Sequence, residues 1–124
     1  MTPEEVVDAF YAAAFAGDGD AALALTAPDG QYHPFGAIED EPIWRWGPGP
    51  LPLRVYATEI LPDFAEAVTD YAITSVERDT LDGLVVSRMR TSLGSGVMVF
   101  RVEDEKLTDI WVVPSRGRLP NPVF

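Results

Sequence analysis

Val97-Met98-Val99-Phe100-Arg101-Val102-Glu103-Asp104-Glu105-Lys106-Leu107-Thr108-Asp109-Ile110-Trp111-Val112-Val113 carries the signal that decides the fold. Residues 97–103 are rich in β-branched and aromatic side chains, Asp104 and Glu105 supply a turn, and residues 106–113 repeat the texture, which predicts an antiparallel hairpin. Upstream the pattern continues as strands over 67–77 and 84–93, with turns at 79–83 and 94–96. Four antiparallel strands are expected. Alternation then sorts their side chains by face: Met98 and Phe100 share one side with Val85, Ser87, Met89, Thr91 and Ile110. Arg88, Arg90, Arg101, Asp109 and Trp111 fall on the other, beside Val97 and Val99.

The first quarter reads as helix. Thr2 is an N-cap, Pro3 fits the first helical position, and Glu5 completes a capping box. Val6, Phe10 and Ala13, like Val7, Tyr11 and Phe15, fall at helical spacing until Gly17 stops the run. Asp18 caps a second helix through Ala21 and Leu25, which Pro28, Asp29 and Gly30 end. Residues 31–35 form a short strand, and residues 53–61 a third helix ended by Pro62. Helices first and a meander afterwards define an α+β class, with helices packed on one face of the sheet. Between them, 36–52 is an irregular loop holding Gly36, Gly47, Gly49, Pro42, Pro48, Pro50, Pro52, Trp44 and Trp46; the tail at 114–124 is also irregular. A loop that long with two tryptophans reads as a lid rather than disorder, and Trp44 and Trp46 suit equally an aromatic wall over a flat ligand and a plug or dimer contact.

The 124 residues fit one domain, 1–124, with 47% hydrophobic and 23% charged residues. A formal charge of −11 disfavours nucleic acid, whose binding depends on neutralising phosphates. No signal peptide or membrane span is expected, so the location is read as cytoplasmic without membrane partners. Absence of cysteine removes disulfides, thiolate nucleophiles and sulfur-ligated zinc. The run Glu39, Asp40, Glu41 reads as a solvated loop rather than a metal site, and no phosphate-cradling glycine motif implies a nucleotide. Neither metal nor cofactor is expected.

Four pieces in order, Phe10-Tyr11-Ala12-Ala13-Ala14-Phe15-Ala16-Gly17-Asp18, His33-Pro34-Phe35-Gly36, Leu61-Pro62-Asp63-Phe64 and the stretch from Val99 to Trp111, give the chain a resemblance to the nuclear-transport-factor-2-like superfamily. That superfamily includes ketosteroid isomerases, limonene epoxide hydrolases, scytalone dehydratases and small SnoaL-like polyketide cyclases. The resemblance implies a cone-shaped, cystatin-like roll with three helices on a curved, mostly antiparallel sheet, enclosing an apolar pocket. In ketosteroid isomerases a carboxylate base works with a tyrosine and a protonated acid. Against that pattern the base position is His33, the tyrosine position is Phe10 and the acid position is Met98. The two oxyanion donors are thus missing, each worth about 2.7–4 kcal/mol to such catalysis. The Asp, Arg, Asp set of an epoxide hydrolase has its residue types here on the wrong face.

These matches make His33 the candidate general acid/base, expected at the pocket within reach of a small hydrophobic carbonyl compound of polyketide type. Taken alone, His33 reads first as a strand-end histidine that satisfies a backbone group, and its match to the base position sets the two readings level. Phe10, Tyr11, Phe35, Trp44, Trp46, Tyr56, Met89, Met98, Phe100 and Ile110 are the candidate ligand-binding residues, with Tyr11 and Tyr56 first among the tyrosines as hydrogen-bond donors. The leading function is a cofactor-independent isomerase, cyclase or dehydratase; the alternatives are a non-catalytic small-molecule-binding or dimerisation module and an accessory subunit with a collapsed pocket. Val97, Val99 and Trp111 on an open sheet face point to a homodimer.

Overall fold

The capping box at Thr2 sets the first helix: Thr2 N–H donates to Glu5 Oε1 at 2.8 Å and Glu5 N–H to Thr2 Oγ1 at 3.2 Å. This is a computed structural model, and it describes residues 1–34, 50–67, 76–81, 84–91 and 94–114. Helix α1, Pro3–Phe15, buries Val6, Val7, Phe10, Tyr11 and Ala14 on one stripe. Gly17 at φ +79° reverses the chain in the left-handed region, and Asp18 caps α2, Gly19–Ala24, by accepting from Ala21 N–H at 3.1 Å.

Among the described residues there is one six-stranded sheet in the order β2-β1-β6-β5-β4-β3. Its strands are β1 Thr26–Pro34, β2 Leu51–Pro52, β3 Val76–Leu81, β4 Leu84–Thr91, β5 Gly94–Glu103 and β6 Lys106–Pro114. Every pairing is antiparallel except β1 with β6. The strands exceed the sequence-based bounds at several ends: β1 opens at Thr26, across the break expected at Pro28, Asp29 and Gly30, and β2 lies inside the stretch 36–52 expected as irregular loop. β3 runs through Asp79 to Leu81, and β5 begins at Gly94, because the ladders continue to Leu81↔Leu84 and Thr91↔Gly94. Asp104 and Glu105 form the β5–β6 turn with φ of 50° and 61°, the double left-handed geometry that matches strand twist in a two-residue hairpin. This turn is tied down: the Met1 amino group meets Glu105, Lys106 Nζ donates to the Ala24 carbonyl, and Leu107 N–H donates to Leu25 O at 2.8 Å.

Helical structure after β2 differs from expectation. Pro62 does not end it: α3, Leu53–Val55, passes into a π-helical turn, Tyr56–Ile60, and then α4, Leu61–Ala67. Leu61 N–H reaches back five residues to Tyr56 O. Proline lacks the next donor and crowds the carbonyl four residues before it, so a widened turn ahead of Pro62 lets the segment continue. Ala67 therefore closes a helix instead of opening a strand.

Core residues come from α1, the segment after β2, and the inner face of the sheet, where Tyr32, Val85, Ser87, Met98, Phe100, Leu107, Ile110 and Val112 are buried. Alternation from Met98 accounts for Val85, Ser87 and Phe100. Leu107 and Ile110 share that face although three apart, because the ladder shifts between Arg101↔Asp109 and Val102↔Leu107, leaving Thr108 as a bulge. Arg88 and Arg101 are exposed on the opposite side, as expected. Backbone approach is closest at Gly30, where a Cβ would stand 2.5 Å from Leu53 Cδ1 and 3.1 Å from the Ala27 carbonyl oxygen. Leu53 starts the segment that delivers Tyr56. Gly30→Ala should cost about 1–3 kcal/mol by forcing the buried Leu53 aside, read as a lower urea midpoint with unchanged m-value.

Candidate functional site

Three buried tyrosines from three different elements meet on the inner face. Helical spacing on α1 turns Phe10 and Tyr11 inward, the π turn begins with Tyr56, and strand alternation in β1 turns Tyr32 toward both. Tyr32 and Tyr56 stack with centroids 4.1 Å apart and 9° between planes; Phe10 lies nearly parallel to Tyr56 at 6.4 Å. Tyr11 stands edge-on to Phe10, Tyr56 and Phe100. Such offset and T-shaped contacts follow the ring quadrupoles and fix ring orientation better than aliphatic packing does.

Two hydroxyls are brought together by this packing. Tyr11 Oη and Tyr56 Oη are 2.9 Å apart, and Tyr11 also donates to Met98 Sδ at 3.8 Å. If the Tyr11 proton points at sulfur, Tyr56 is the donor within the pair. A thioether is a weak acceptor. In that arrangement Tyr11 is a donor polarised by Tyr56 and held on a poor partner. Ser87 on β4 is the register partner of Met98. Its Oγ is buried without a hydrogen-bond partner. Among the described residues the core holds no carboxylate, imidazole or guanidinium.

His33 lies elsewhere, which corrects the expectation that it lines the pocket. Tyr32 faces the core, so its neighbour His33 faces away, next to Trp111, its register partner on β6. His33 Nε2 is 2.9 Å from Asp109 Oδ1, and its ring stacks on Trp111 at 5.1 Å and 10°. Arg101 reaches the same indole from β5, its Cζ 5.2 Å from the ring centroid, with Nη1 3.8 Å from Asp109 Oδ2. The four side chains form an outer-face cluster, partly open to solvent. Alternation along residues 31–34 would have revealed this parity, whereas matching the His-Pro-Phe-Gly motif concealed it.

The remaining candidate positions divide cleanly. Phe10, Tyr11, Tyr56, Met98, Phe100 and Ile110 are buried on the core side. Phe35, Trp44 and Trp46 lie outside the described residues, as does the side chain of Met89, whose backbone belongs to β4. Sequence reasoning left Ser87 and Tyr32 without a leading role; nothing local marks a serine as unpartnered. Among the described residues, no cluster of His, Cys, Asp or Glu could hold a metal ion, and no helix is long and apolar enough to cross a membrane.

Burial pushes the phenols of Tyr11, Tyr32 and Tyr56 above their ordinary value of 10.0, because the phenolate would lose its hydration. In the unfolded chain these groups release protons near that ordinary value. Their contribution to stability is thus complete below about pH 10 and is lost as pH rises beyond it, where the unfolded state binds fewer protons. Urea midpoints should fall between about pH 9 and 11. Phenolate absorbance from these three rings should appear only together with unfolding.

No family model matches the sequence, and no curated protein does. Solved structures do. A protein of unknown function with a cystatin-like fold from Xanthomonas campestris aligns with a TM-score of 0.65 at 16% identity, covering 94% of this chain and 92% of that one. An NTF2-like protein from Burkholderia xenovorans LB400 gives 0.63 at 20% identity, covering 89% and 86%. A candidate polyketide cyclase from Sinorhizobium meliloti gives 0.64 at 16% identity, covering 87% and 93%. Helices packed on one face of a mostly antiparallel sheet give this chain the α+β, cystatin-like fold of the nuclear-transport-factor-2-like proteins.

Proposed function

We propose that the domain binds a small hydrophobic carbonyl compound on its inner face, with Tyr11 as the hydrogen-bond donor to the carbonyl oxygen and Tyr56 as the group that strengthens it. The observation that carries this reading is the Tyr11 hydroxyl, which shares a 2.9 Å hydrogen bond with Tyr56 Oη and has the Met98 thioether, 3.8 Å away, as its other partner. A carbonyl oxygen is a far better acceptor. Met98 is unbranched and has three rotatable bonds, so it is the side chain best able to yield its place. Phe10, Phe100 and Ile110 would line the rest of an apolar surface for the ligand.

Proton transfer by His33 to such a ligand loses its support, because a general acid/base must come within hydrogen-bond reach of the proton it moves, and His33 occupies the other face of the sheet. Polarisation without a base among the described inner-face residues favours binding over turnover. The likeness in fold to a candidate polyketide cyclase fits a carbonyl-rich ligand class. Butyrophenone is a suitable probe. Tyr11→Phe should weaken its binding about 5- to 10-fold and abolish the downshift of its carbonyl stretch in isotope-edited infrared spectra. His33→Ala should leave both unchanged. An unaltered dissociation constant in Tyr11→Phe would sink this reading.

A second reading, self-association through the outer face, is favoured by one observation. Arg101 is 46% exposed by side chain and only 3.8 Å from Asp109, while both flank Trp111. With half-buried Val86, Val97 and Val99, the face presents an apolar row bordered by both signs of charge. A two-fold axis would let Arg101 of each copy meet Asp109 of the other. Sedimentation equilibrium at micromolar concentration should show a dimer, and Trp111→Glu should shift it to monomer while sparing butyrophenone binding. A wild-type chain that stays monomeric would exclude the homodimer.

A further inference from the structure

We infer that Ser87 is a second ligand contact on the inner face, and that the ligand it selects carries oxygens on alternate carbons, as a 1,3-dicarbonyl compound or its enol does. The inference rests on Tyr11 and Tyr56 being the carbonyl-binding pair. Ser87 is fully buried and its Oγ has no hydrogen-bond partner. A hydroxyl offers one donor and two acceptor sites, and burying it unpaired is unfavourable. Alanine would fill nearly the same volume without that cost, so packing alone does not account for serine here.

Position supplies the second half of the argument. Ser87 and Met98 face each other across β4 and β5, and Met98 Sδ is the atom that takes the Tyr11 proton. Directly opposed residues in an antiparallel pair have Cβ atoms only about 4.5–5.5 Å apart. One unpaired hydroxyl and one poorly paired hydroxyl therefore flank a single flexible thioether. When that side chain swings aside, an oxygen entering at Tyr11 has Ser87 as its neighbour on the next strand. Adjacent donors of this kind suit two oxygens close together on one molecule, rather than at opposite ends of a long one. Ser87 sets specificity in this scheme and takes no part in proton transfer.

Matched probes test it on the full chain: benzoylacetone, with two oxygens on alternate carbons, and butyrophenone, which keeps the phenyl ketone and lacks the second oxygen. Calorimetry should show benzoylacetone binding about 5- to 10-fold more tightly. Ser87→Ala removes one atom, should raise the melting temperature of the free protein, and should erase the preference while leaving the butyrophenone affinity within twofold. Equal affinity of the wild type for the two probes, or a preference that survives in Ser87→Ala, overturns the role of Ser87 and leaves the tyrosine pair standing. Failure of both probes to bind, or indifference of butyrophenone to Tyr11→Phe, overturns the tyrosine reading and this inference with it.

Discussion

The parallel register of β1 on β6 is the constraint from which the two chemistries of this sheet follow. Tyr32 pairs with Ile110 and His33 with Trp111. Because successive side chains in a strand point to opposite faces, that single registration sends the phenol to the core and the imidazole to the outer surface. A slip by one residue would exchange them, placing an imidazole against Tyr56 and leaving a large ring outside. Tyr32 in the core stacks on Tyr56 at 4.1 Å, while His33 outside finds Asp109 and Trp111. Each face gains by the same choice, and the register is held from both sides.

Burying phenols carries a demand that aliphatic residues do not make, since each hydroxyl must find a partner. Tyr11 and Tyr56 meet it largely by pairing with each other, which keeps polar groups inside an apolar core without importing a charge. What this arrangement leaves over is one proton aimed at sulfur and one idle serine. A core sealed by leucines would have left nothing for a ligand to improve upon. Polar groups that satisfy one another incompletely distinguish this core from one packed with aliphatic side chains alone.

Local signals in the sequence resolved the features that depend on few neighbours. Thr2 and Glu5 announce the capping box, Asp104 and Glu105 the hairpin, and Met98 fixes the parity of β4 and β5. Features set by distant partners were not legible. The Tyr11–Tyr56 bond joins residues 45 positions apart, and nothing near either one marks the pairing. Pro62 reads as a helix stop until the π turn before it is known. His33 was placed by the motif around it, although Tyr32, one residue away, competes for the same face and wins because its larger apolar ring gains more by burial.

The place of β1 within the sheet also bears on how the chain becomes folded. β1 sits between β2 and β6, yet β6 is the last of the described strands in sequence; His33 and Asp109 are 76 positions apart. During synthesis one edge of β1 stays open until nearly the whole domain has left the ribosome, and the hairpin turn that anchors α2 through Leu107 arrives at the same late moment. Loop-closure entropy must be met before this pairing returns any stabilisation, which places the domain among slow, high-contact-order folders. An unpaired strand that holds Tyr32 exposed for that interval is a template for other chains. The interval before β6 arrives is thus the one in which the open edge of β1 is offered to other chains.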